Sequence, residues 1–250
     1  MIVIVGTQRD DILYFESIIS SKKTRLLFER FPIVEGHIFN QEVLLVYGMY
    51  SSYVSSAIMM DILAKNFVNL VIVVGKCTGF SKDVKVGDIV ISHEVVIGDV
   101  DQVTNADTTL GQIPGFPKVY PTGNDLISYI ETACQKRAIN NYKIGTFISS
   151  NTIYNHRESL NKIVFDDGIF GFKNNVVLDS ISGGIAINSV ISKIPFMNIK
   201  VVDKLLDKEY DVENYLTVLD SYVNVGKAVT TMIGDIGRKD VLRSKQWKRK

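Results

Sequence analysis

Apolar runs and amphipathic stretches alternate through most of the chain. Ile2–Val5 is a short continuous apolar run closed by Gly6; polar Thr7–Asp11 follow, then Ile12, Phe15, Ile18 and Ile19 at helical spacing. Ile33–Phe39 and Gln41–Tyr47 flank Asn40 and predict a hairpin. Val54, Ala57, Ile58 and Ile62 predict a helix over Val54–Leu63, and Leu70–Val74, rich in β-branched residues, predicts a buried strand ending at Gly75. A strand over Gly87–Ser92 precedes an amphipathic helix over Leu126–Ala138 and a strand over Lys143–Ser149. Val176–Leu178 is extended before the helical stretch Gly183–Ile191. Phe196–Val202 is one more strand, and Tyr215–Ile233 a long final helix. Continuous apolar strands interleaved with helices imply an α/β fold, with a mainly parallel sheet covered on both faces.

In such sheets ligands bind beyond the carboxyl ends of the strands. That rule nominates Gly6–Asp11, Gly48–Tyr53, Gly75–Gly79, Ser150–Tyr154, Asp179–Ile181 and Asp203–Asp207. Residues 98–121 form a long polar segment without periodicity, holding three of the five prolines; loops of that length usually carry function. No repeat and no linker divides the chain, so one domain is expected.

Composition narrows the classes. At 250 residues, 46% hydrophobic and 22% charged, the chain can bury a sizeable core, and no apolar run reaches the ~20 residues of a membrane helix. Two cysteines are too few for a disulfide framework, and the N-terminus lacks the basic flank and cleavage site of a signal peptide. A reducing cytoplasm is the expected location. The net charge of +1 hides an asymmetry: Arg238–Lys250 holds seven bases and one acid, +6, leaving −5 for the rest. Nothing upstream resembles a nucleic-acid surface, so this tail reads as a solvated terminus rather than a nucleic-acid or membrane contact. A domain over 1–237 with a basic tail over 238–250 is the expected organisation.

Three blocks resemble the nucleoside phosphorylase superfamily. Val71–Phe80 followed by Val84–Ser92 is similar to its strand, glycine turn and Gly-Asp-Ile-Val strand. Gly98–Asp101, running to Gly111-Gln112-Ile113-Pro114-Gly115-Phe116-Pro117, is similar to a stretch of one branch, the 5′-methylthioadenosine/S-adenosylhomocysteine nucleosidases. The opening strand with its Gly6 turn and Asp10-Asp11 is the third block. The resemblance runs from residue 1 to about 235. It implies a single-domain, three-layer nucleoside-phosphorylase-like fold with a mixed central sheet flanked by helices. It also implies a homodimer, with the 98–121 loop crossing to the partner so that Pro114 and Phe116 wall the substrate pocket.

The activity implied is hydrolysis of a purine nucleoside to adenine and a thio-ribose. Such chemistry needs a carboxylate to activate water, an acid at the purine and an acceptor for the ribose hydroxyls. Carried over by the resemblance, the water-activating position is Asp11, where the family has Glu. The purine-side acid follows the late strand in Lys200-Val201-Val202-Asp203-Lys204. Aligned without a gap that position is Lys204; with one deletion it is Asp203, the candidate adopted. Two glutamates of the family fall on Asp179 and Ile181, around Ser180, so the second offers no acceptor. The glycine turn gains a cation at Lys76. The base-stacking segment is Ser150-Asn151-Thr152-Ile153-Tyr154, in which Ile153 and Tyr154 remain able to pack on a purine.

None of His37, His93 or His156 lies near Cys77 in sequence, the histidines lack metal-ligand spacing, and no dinucleotide or Walker glycine signature is present. No cofactor or metal is expected. Two alternatives stay open beside the nucleosidase: a phosphate-dependent phosphorylase using Arg9 and Lys76 as an anion site, and a divergent nucleoside-binding relative whose catalysis is impaired by the exchanges at 76, 181 and 204.

Overall fold

A computed structural model describes residues 1–102, 108–152, 175–206, 208 and 214–239. Ten strands build one mixed sheet: β1 (Ile2–Val5), β2 (Ser20–Leu27), β3 (Phe31–Ile38), β4 (Gln41–Val46), β5 (Leu70–Gly79), β6 (Ile89–Ile97), β7 (Val119–Pro121), β8 (Tyr142–Ser149), β9 (Val177–Asp179) and β10 (Phe196–Leu205). Among the described residues the helices are α1 (Leu13–Ile18), α2 (Ser52–Lys65), α3 (Asn124–Lys136), α4 (Ser182–Ser192) and α5 (Tyr215–Lys239). β4, β1, β5 and β10 run parallel side by side, with Ile2 opposite both Val43 and Leu70, and Phe196 opposite Val71.

The side-chain period of a strand assigns the layers. Ile2 and Ile4 of β1 pack with Ile130 of α3 and Val229 of α5, whereas Val3 and Val5 pack with Ile58 of α2 and Ile185 of α4. Both faces of β1 are therefore buried, as its unbroken Ile-Val run requires. On the α2/α4 side the helices approach closely: a Cβ on Gly184 would lie 2.1 Å from the Ser52 carbonyl oxygen, and Asn188 Nδ2 donates to the Ser56 carbonyl at 2.6 Å.

Three features depart from the apolar pattern. The expected helix through Ile12–Ile19 is shorter, a 3-10 turn over Arg9–Ile12 leading into α1, because Ser20–Leu27 leaves as a strand. That strand carries Lys22, Lys23 and Arg25 and is exposed except at Leu27, since it is the sheet edge, where charge deters pairing with other chains. β5 continues past Gly75 to Gly79, and β10 pairs with both β5 and β6. The path β5–β9–β8–β6–β10–β5 thereby closes one end of the sheet into a ring. The candidate site lies where these strands end.

Candidate active site

A cavity of about 340 Å³ opens where several strands finish. Thr7, Gln8 and Asp11 enter it from the turn after β1, and Lys76, Cys77 and Thr78 from the end of β5. Ser150 and Thr152 follow β8; Leu178, Asp179 and Ser180 come from β9 and its exit; Lys200, Asp203 and Lys204 come from β10.

Asp11 is held from three directions. The turn after Gly6 points two backbone N–H groups at Oδ2, from Thr7 at 2.8 Å and Gln8 at 3.0 Å. The hydroxyl of Tyr222, on α5, donates to Oδ1 at 3.1 Å. Burial raises the Asp11 carboxyl above its usual range, and these hydrogen bonds together with the charge of Lys200 oppose that rise. Burial, and then the Asp11 charge, push the Tyr222 phenol far up, so it remains a donor. Gly75 makes room for the carboxylate. Its φ is +134°, and a Cβ there would stand 2.8 Å from Asp11 Oδ2.

Asp179 and Lys200 form a buried ion pair at 2.6 Å, with side chains 2% and 1% exposed. Ser182, at the start of α4, donates its N–H to Asp179 Oδ1 at 3.3 Å and its hydroxyl to Oδ2. Lys200 sits opposite Gly75 and Val90 in β10, on the strand face it shares with Asn198 and Val202. A buried cation there is tolerable because the carboxylate meets it directly.

The β10–β5 register slips between Val202 and Lys204, so Asp203 has no partner on β5. A bulge of this kind re-aims side chains, and here both Asp203 and Lys204 line the cavity. Burial raises the Asp203 carboxyl, against the pull of Lys76 and then Lys204. Cys77 is buried and its thiol is pushed well up by burial, which suits a packing role rather than thiolate chemistry. Among the described residues no cluster of three His, Cys, Asp or Glu side chains could hold a metal ion.

The family model of the phosphorylase superfamily matches residues 1–233. The chain belongs to the phosphorylase superfamily. A 5′-methylthioadenosine/S-adenosylhomocysteine nucleosidase of Staphylococcus carnosus is 25% identical over 213 residues, covering 84% of this chain and 88% of that protein. The solved nucleosidase of Neisseria meningitidis, in complex with methylthio-immucillin-A, matches with a TM-score of 0.83 at 20% identity, over 94% of this chain and 98% of that one. A futalosine hydrolase of Helicobacter pylori matches with a TM-score of 0.81 at 18% identity, over 94% and 97%.

Within this superfamily fold, the cavity gathers Asp11, Lys76, Asp179, Ser180, Asp203 and Lys204 of the residues the sequence nominates. Ile181 is placed elsewhere. It is fully buried in the core beside Ile58 and Ile185, and its carbonyl accepts from Ser55 Oγ at 2.8 Å, because the chain turns into α4 there. It is not among the residues lining the cavity; an apolar side chain at this turn packs inward. Pro114 and Phe116 do not line the cavity within this chain. They lie in a segment shaped by Gly111 (φ +81°) and Gly115 (φ +79°), with Gln112 Nε2 donating to the Phe116 carbonyl at 3.1 Å. Ile153, Tyr154 and Asp207 lie outside the described residues, as does the tail from residue 240.

Sequence reasoning missed Lys200 and Tyr222. Lys200 left a signal, a single charge inside the apolar run of β10; Tyr222 left none, since it meets Asp11 across 211 positions of the chain.

Proposed function

We propose that the chain hydrolyses the N-glycosidic bond of purine nucleosides of the 5′-methylthioadenosine/S-adenosylhomocysteine type, giving adenine and a 5-thio-ribose. The observation that carries this reading is a pair of carboxyls raised by burial, Asp11 buried and Asp203 half-buried, lining one cavity in this superfamily fold. Two carboxyls in different surroundings can divide the work of base and acid. Asp11, as carboxylate, takes a proton from water while the water oxygen bonds to the anomeric carbon. The bond from that carbon to purine N9 breaks, and Asp203 gives its proton to N7 of the departing base. Asp11 is pre-oriented for its role by the two N–H groups and Tyr222, which fix its rotamer and leave one lone pair of Oδ1 for water.

The family relatives support the substrate class, and the same reading places the protein in the cytoplasm as a homodimer. A second copy would contribute Pro114 and Phe116, on the 98–121 segment, to the wall of its partner's cavity. One observation favours a slower relative: Asp179 is already engaged by Lys200, and Ile181 is in the core, so the ribose hydroxyls meet fewer acceptors than two glutamates would supply.

Reaction in oxygen-labelled water tests the proposal. The label is expected on the anomeric carbon of the sugar product; a sugar 1-phosphate formed only when phosphate is added would instead indicate phosphorolysis. Gly75→Ala is expected to lower turnover by about 100-fold, because a displacement of roughly 1 Å at a catalytic group costs that much. Adenine-release kinetics beside a melting curve check this. Undiminished turnover in a folded Gly75→Ala protein would show that Asp11 need not stay where Gly75 lets it sit.

A further inference from the structure

The turn that leaves β8 meets the cavity at Ser150 and Thr152 but not at Asn151 between them. The two lining residues are tied together, the Thr152 N–H donating to Ser150 Oγ at 2.9 Å. Asn151 engages both ends of its amide elsewhere. Its Oδ1 accepts the Ser52 N–H at 2.8 Å, and its Nδ2 donates to Asp99 Oδ2 at 2.9 Å. The same carboxylate oxygen accepts the Asn151 N–H at 2.7 Å. Three segments far apart in sequence thus meet on one side chain: the exit of β6 at Asp99, the exit of β8, and the first turn of α2.

That first turn extends the junction. A helix start leaves N–H groups without partners inside the helix. Ser51 Oγ accepts the one from Val54 at 3.3 Å, and Asn151 accepts the one from Ser52. Ser52 Oγ in turn donates to the Ser180 carbonyl at 3.0 Å, and Ser180 lines the cavity from the exit of β9. One helix end therefore holds two walls of the cavity. The chemistry at position 151 is narrow. An amide offers an acceptor to α2 and a donor to Asp99 at once, whereas a carboxylate would bring an oxygen against Asp99 Oδ2.

We propose that Asn151 is a positioning residue: through Asp99 and Ser52 it sets the wall that Ser150 and Thr152 present to the substrate. A wall of this kind holds substrate and transition state alike, so displacing it weakens binding rather than the bond-breaking step. The inference rests on the proposed nucleoside reading for its substrate.

Adenine release from 5′-methylthioadenosine by the full chain, measured beside melting curves, tests it. Asn151→Asp keeps an acceptor for Ser52 and loses the donor to Asp99. It is expected to raise KM about tenfold and to leave kcat within about twofold of wild type. Asp99→Ala breaks the same link from the other side and should act alike, so the test stands if one variant fails to fold. Asp99→Asn, whose amide oxygen can still accept both N–H groups, should keep KM close to wild type. Three results would overturn the inference: a lowered melting temperature with KM unmoved, a loss confined to kcat, or Asp99→Asn as impaired as Asp99→Ala. Adenine binding by calorimetry separates this inference from the hydrolytic reading. A wild type that binds adenine without turnover, and about tenfold tighter than Asn151→Asp does, would sink only hydrolysis. An active protein whose KM ignores both positions would sink only the positioning role, and no turnover with no adenine binding would sink both.

Discussion

Asp11→Asn is expected to lower adenine release from 5′-methylthioadenosine by about 100- to 10,000-fold, the usual worth of a positioned general base, without unfolding the protein. Asparagine is nearly isosteric. Its carbonyl can still accept from the Thr7 and Gln8 N–H groups, which lie 2.8 and 3.0 Å from Oδ2 in the wild type. What is lost is the ability to take a proton. The stability effect has a sign fixed by burial. Asp11 has its carboxyl raised in the folded protein, so its contribution to stability is fully present below the ordinary aspartate pKa of ~3.9 and is lost as pH rises through the folded value. At neutral pH the wild type therefore carries a buried charge that the variant lacks. Asp11→Asn should melt at or above the wild-type temperature near neutrality, and this advantage should vanish in acid. Activity and melting curves taken across pH check both halves. A variant that keeps wild-type turnover would remove Asp11 from the mechanism.

Lys200→Met is the largest structural perturbation expected. It strands the Asp179 carboxylate in a place where its side chain is 2% exposed. Removing one partner of a buried ion pair costs about 3–5 kcal/mol, and a chain of this size loses roughly 2–4 °C of melting temperature per kcal/mol. The single variant should thus melt roughly 6–20 °C below wild type. The double variant Lys200→Met/Asp179→Asn should recover most of that loss, since no uncompensated charge remains and the amide can still meet Ser182. A double-mutant cycle isolates the coupling between the two positions. If Lys200→Met melts with the wild type, the pair is not a structural element of the site.

Much of the fold is legible in the apolar pattern because β1, the first half of β5 and most of β10 are buried on both faces and announce themselves as apolar runs, broken in β10 only by Asn198 and Lys200. The β3–β4 hairpin is legible from its two runs around Asn40. β2 is not, because a charged edge strand buries only Leu27 and leaves no apolar alternation to read. Ring closure is also hidden: it depends on β5 continuing through Gly75 to Gly79, where a glycine at a strand end reads locally as a stop. In the site, Asp11 and Asp203 are reachable from the rule that strand ends carry ligands. The choice between Asp203 and Lys204 is not, since both face the cavity only because β10 bulges between Val202 and Lys204. The fate of Ile181 follows the same logic. Its position one residue before α4 decides that it packs inward, and that turn is a tertiary outcome.

We propose that this cavity breaks an N-glycosidic bond with water, with Asp11 as base and Asp203 as acid. The most direct test is the time course of adenine release from 5′-methylthioadenosine by the wild-type chain in phosphate-free buffer, run beside Asp203→Asn. Sustained release by the wild type with no requirement for phosphate is expected, with a loss of about 100-fold or more when the Asp203 proton is removed. No adenine at micromolar wild-type enzyme, or equal release by the two proteins, would contradict it.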